Sequence, residues 1–88
     1  MIFDSKFKVV NVADEYLVIP VGNETVSTAD MICVNEATAF LLEQMKTPKT
    51  EQELVVLLTA EYDVDPETAA NDIRETMKNL IAYGVVSE

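Results

Sequence analysis

The side chains able to do chemistry are few and lopsided. The 88 residues hold 16 Asp and Glu against 6 Lys and Arg, a formal net charge of −10, with no His, one Cys and two Gly. Without His there is no imidazole base, no His-containing triad and no His-ligated metal. The lone Cys33 permits neither an intramolecular disulfide nor a Cys-rich zinc site, and in an apolar stretch it reads as a small apolar residue. Gly22 and Gly84 are too far apart to build a phosphate loop. No convergent catalytic set can be assembled from the rest, so the expectation is a chain that is not an enzyme and needs no cofactor. Arg74 and Lys78 stand out from the acid background. They lie one helical turn apart, are the only basic residues after Lys49, and Arg74 has no acid three or four residues away to occupy it within its own helix.

The charge also bears on partners. Phosphate affinity comes from clustered Lys and Arg, so −10 speaks against nucleic acid. Apolar residues at 49% and charged residues at 25% describe a globular chain rather than a disordered one. At this length residues 1–88 are expected to form one domain, burying roughly 60–70% of the unfolded surface. The start, Met1-Ile2-Phe3-Asp4-Ser5-Lys6, carries an acid and lacks the apolar run of a signal peptide. Apolar stretches such as Leu54 to Leu58 fall far short of the ~20 residues that span a membrane. The expected location is the cytoplasm, which suits a reduced thiol.

The elements that would position these groups change character near residue 35. Before it, Phe7 to Val12, Glu15 to Val21 and Met31 to Val34 read as three strands of a small antiparallel sheet. Ala13-Asp14 is a turn, Pro20 belongs at an edge or strand end, and Gly22 to Ala29 reads as a loop. After it, Asn35 caps a first helix, and Thr50-Glu51-Gln52-Glu53 has the capping-box form for a second. Asp65-Pro66 starts a third that runs to about Tyr83, with Gly84 as its left-handed terminator. The order β-β-β-α-α-α is an α+β, winged-helix-like domain. Its expected core is Val9, Leu17, Ile19, Phe40, Leu41, Leu54, Leu58, Ile73, Leu80 and Val85.

Several segments together resemble one family. Val34-Asn35-Glu36-Ala37-Thr38-Ala39 resembles the Leu-Asn-Glu-x-(small)-(small) junction of the PqqD-like family. Thr50-Glu51-Gln52-Glu53-Leu54 resembles its T-x-x-E-L segment, and Glu61-Tyr62-Asp63-Val64-Asp65 its second interhelical connection. Asp72-Ile73 and the Leu80 to Gly84-Val85 exit resemble its last helix. The likeness runs over about residues 7–87. Three features depart from the family pattern: Lys46-Thr47-Pro48 stands where a Gly often ends the first helix, the Trp that many members carry in that helix is absent, and the loop before the third strand is long. The resemblance implies a peptide chaperone, the recognition element of ribosomally synthesised, post-translationally modified peptide systems. Such a module binds the leader of a precursor peptide as an added strand beside the third strand, against the third helix. It presents the leader to a modifying enzyme, often a radical S-adenosylmethionine enzyme.

Strand addition by itself is close to break-even. Ordering a peptide residue costs about 1–2 kcal/mol of backbone entropy, and a backbone hydrogen bond returns about 0.5–1.5 kcal/mol. Side-chain anchors, at about 1.5–3 kcal/mol for each large apolar group buried, must supply the rest. The expected site therefore joins an edge, Met31, Ile32, Cys33 and Val34, to one flank of the third helix. On that flank Ala70, Met77 and Ile81 supply the apolar floor, and Arg74 and Lys78 are expected to rim it and meet leader carboxylates. A winged-helix DNA-binding regulator and a small assembly subunit without a peptide ligand are the alternative readings.

Overall fold

The computed structural model describes residues 1–21 and 31–88, and the loop expected over Gly22 to Ala29 lies outside them. β2 (Phe7–Val12), β3 (Glu15–Pro20) and β4 (Ile32–Val34) form an antiparallel sheet in the order β2-β3-β4. α1 (Glu36–Gln44), α2 (Glu51–Glu61) and α3 (Pro66–Ala82) follow. This is the α+β order expected from the sequence. A small addition closes the chain on itself: β1 (Ile2–Phe3) pairs antiparallel with β5 (Val86–Ser87). Two-residue strands carry too little periodicity to be read from sequence.

The helix ends follow local chemistry. The Asn35 side chain accepts the Thr38 N–H at 2.7 Å. Thr50 and Glu53 exchange side-chain-to-backbone bonds of 3.1 and 2.9 Å, completing the capping box. Asp65 accepts the Thr68 N–H at 3.2 Å, and Pro66 takes the first helical position. The two capping carboxyls titrate below their ordinary range: Glu53 because the Thr50 backbone N–H and then its hydroxyl side favour the anion, Asp65 because of its bonds to Thr68. At the far end of α3, Gly84 adopts φ 78°, and the N–H groups of Gly84 and Val85 bond the carbonyls of Ile81 and Leu80. That is a Schellman ending, and it turns Val85 and Val86 back into the core.

Ala13 and Asp14 both take positive φ, 52° and 67°, the backbone of a type I′ two-residue turn between Val12 and Glu15. The turn sets the register, in which Val9, Val18 and Ile32 lie side by side across the sheet. Val18 is fully buried, while Leu17 and Ile19 are half-buried, so the face expected for β3 is corrected by one residue. The reason is compositional. Tyr16-Leu17-Val18-Ile19 is apolar on both faces, so alternation offers no choice, and the pairing decides. Val9 and Phe40 are half-buried against the core rather than within it. Leu41, Leu54, Leu58, Ile73, Leu80 and Val85 are buried as expected, joined by Phe3, Leu42, Met45 and Met77.

Candidate functional site

α3 divides the surface into two concavities. Ala69, Ile73, Met77 and Leu80 form its buried stripe. With ~100° between successive residues, Asp72, Glu75, Thr76 and Asn79 fall on one side of that stripe and Arg74, Lys78 and Ile81 on the other.

The first flank faces the junction of β4 and α1. A concavity of about 400 Å³ lies between Asn35, Ala37 and Thr38 on one side and Asp72, Glu75, Thr76 and Asn79 on the other. Leu41, Leu58 and Ile73 make its apolar floor. Asn35, which caps α1, directly follows the last residue of β4. β4 pairs with β3 on one side only, and its other side has no strand partner among the described residues. A strand edge without a partner among the described residues therefore ends at the mouth of an apolar-floored groove.

Thr38 is the best-placed polar group in that groove. It is only 8% exposed, and its backbone N–H is taken by Asn35. Its hydroxyl bonds no described residue, yet no buried side-chain polar atom among the described residues lacks a partner. Thr38 lines the concavity.

The second flank faces the ends of the chain. Arg74, Met77, Lys78 and Ile81 line a concavity of about 650 Å³ with Met1, Glu51 and Glu88. Arg74 is already engaged there: its Nε and one terminal nitrogen donate to the two carboxylate oxygens of Glu51 at 3.0 and 3.2 Å. That hydrogen-bonded carboxylate raises the Arg74 pKa above its ordinary value.

The nine residues expected to share one groove are accordingly divided. Met31 is exposed and precedes the strand; Ile32 and Val34 pack on the core; Cys33 is exposed on the opposite sheet face, paired with Leu17. Arg74, Met77, Lys78 and Ile81 lie together, but on the flank of α3 turned away from the β4–α1 junction. Ala70 is half-buried and lines neither concavity. Met77 is 2% exposed and belongs to the core. Arg74 and Lys78 thus line a concavity separate from the one at the β4–α1 junction. An isolated helix has two flanks, and which one meets the sheet depends on how α3 packs against α2. Asn35, Thr38, Asp72, Glu75, Thr76 and Asn79, which line the concavity at that junction, were not among the expected residues. Their signal was present, because residues 72, 75, 76 and 79 recur at three- and four-residue spacing.

Among the described residues no helix is long and apolar enough to cross a membrane, and no group of His, Cys, Asp and Glu could hold a metal ion. No curated protein matches the chain. One solved structure, described as "TbiB1 in Complex with the TbiA(beta) Leader Peptide", superposes with a TM-score of 0.72 at 18% identity, each chain covered in full. At that identity the likeness is one of fold. The family described as Coenzyme PQQ synthesis protein D (PqqD) matches residues 23–86, well over half of the chain and including β4, α1, α2 and α3. With that match, and with the sheet and three helices the motifs implied, the chain belongs to the PqqD family.

Proposed function

We infer that this chain is a non-catalytic recognition module that binds the leader of a ribosomally synthesised precursor peptide and delivers it to a modifying enzyme in the cytoplasm. The observation that carries this reading is the β4 edge, without a strand partner among the described residues, ending at an apolar-floored groove under α3 in a PqqD-family chain. The fold is shared with a chain solved together with a leader peptide, which supports the same reading. The leader adds as a strand beside β4, about 4.8 Å away. Its alternate side chains then point toward Leu41, Leu58 and Ile73, where one or two apolar anchors supply the affinity that backbone pairing lacks. β4 itself contributes main chain, since Ile32 and Val34 are spent on the core. The partner enzyme we propose is of the radical S-adenosylmethionine class, as the family resemblance implies.

NMR titration of the isotope-labelled chain with a synthetic leader, taken from a short precursor encoded beside its gene, tests this reading. Amide shifts are expected at residues 31–38 and on the 72–79 flank of α3. Shifts confined to the second flank, around Met1, Glu51 and Arg74, would overturn it.

A further inference from the structure

The concavity at the β4–α1 junction has an uneven wall. Its floor is apolar, but Asp72 and Glu75 stand along the α3 side, and none of the chain's six Lys and Arg lines it. Neither carboxylate has an ion-pair partner within 4.0 Å among the described residues, whereas Arg74 is held by Glu51 on the far flank and Lys46 by Glu43. Asp72 and Glu75 are also three residues apart on one helix, so each raises the cost of the other. Opposite them Thr38, 8% exposed, lines the same space. Two carboxylates without ion-pair partners among the described residues, set beside an apolar floor, ask for one kind of occupant.

We propose that this groove selects a peptide strand carrying an apolar anchor and, two residues away, a Lys or Arg whose cation meets Asp72 and Glu75. The proposal rests on the peptide-binding reading above and names the sequence class that reading leaves open. The two-residue spacing follows from the strand itself, because only alternate side chains share a face. The cation neutralises the Asp72–Glu75 repulsion, which no ion pair among the described residues relieves. Arg suits the site better than Lys, since its planar fork can reach two acceptors at once.

Selection of mRNA-displayed random dodecapeptides on the full chain tests the proposal, run in parallel on Asp72→Asn/Glu75→Gln and on Arg74→Gln/Lys78→Gln chains. Peptides enriched by the unaltered chain are expected to place Lys or Arg two positions from an apolar residue. They should bind the Asp72→Asn/Glu75→Gln chain more weakly, by about two- to fivefold for each carboxylate removed. Their affinity for the Arg74→Gln/Lys78→Gln chain should be unchanged, and raised salt should erase most of the difference. Peptides that shift amides at residues 31–38 and 72–79 but show no basic preference, or bind both carboxylate forms equally, overturn this proposal and leave the peptide reading standing. A selection that enriches nothing, or peptides whose shifts fall elsewhere, overturns both.

Discussion

The two flanks of α3 differ less in composition than in what their charges already do. On one flank Arg74 is a strong cation, yet both nitrogens that face Glu51 are spent on its carboxylate. On the other, Asp72 and Glu75 are ordinary exposed acids with no ion-pair partner among the described residues, set beside an apolar floor. The rarer residue draws the eye in a chain of net charge −10. The free one is better placed to bind something else. Recognition favours unmet valence next to buried apolar surface, and a residue already paired within the fold must give up that pair, at small cost where it is exposed, before it binds anything else.

The contrast can be broken most forcefully at the stripe that separates the flanks. Ile73 is 1% exposed and also floors the groove. Ile73→Ala should cost about 2–5 kcal/mol of stability in a urea melt. A much smaller loss with the fold intact would mean that the floor is surface rather than core. Next in size is Asn35→Ala, which removes the 2.7 Å cap of α1 at the mouth of the first groove and should cost about 1 kcal/mol. No comparable loss is expected from Lys78→Ala on the second flank, measured the same way.

Acid sharpens the comparison by loosening the helix starts that hold both flanks. Glu53 and Asp65 have folded pKa values lowered from 4.5 and 3.8, so their contribution is fully present above those values. It is lost as pH falls through the lowered folded values, so the melting midpoint should drop there. An Asp65→Ser chain, which keeps a capping oxygen without the charge, should show a shallower acid limb; an identical limb would remove Asp65 from the account. The smallest effects are electrostatic and opposite in sign. At low salt Asp72→Asn/Glu75→Gln should raise stability by ~0.2–0.5 kcal/mol by relieving like-charge repulsion. Glu51→Gln should lower the midpoint slightly by freeing Arg74. Equal signs for the two variants would erase the distinction between a satisfied and an unsatisfied flank.

Much of this architecture was legible along the chain because its causes are local. Asn35, Thr50 with Glu53, Asp65-Pro66 and Gly84 each bond backbone within a few residues, and each stands where its residue type implied. The face of β3 was not legible, because Leu17, Val18 and Ile19 are interchangeable in hydropathy and only pairing with Val9 and Ile32 separates them. The β1–β5 pair was not legible either: its partners lie at opposite ends of the chain and carry two residues each. For the candidate site, the sequence pointed to β4 and α3 and set the cations of α3 beside that edge, whereas the structure has the 72–79 flank there.

That division has a physical origin. Residue type and short-range spacing are enough to settle the helix starts and stops, the strand order along the chain, the apolar stripe of α3 and the family it belongs to. They say nothing about how α3 is rotated as a body, because a stripe of Ala69, Ile73, Met77 and Leu80 can be buried with either flank toward the sheet. Packing against α2, the Arg74–Glu51 pair and the return of Val85 and Val86 to β1 choose between them. Those contacts join residues far apart in sequence, and they turn Asp72 and Glu75, rather than Arg74 and Lys78, toward the end of β4.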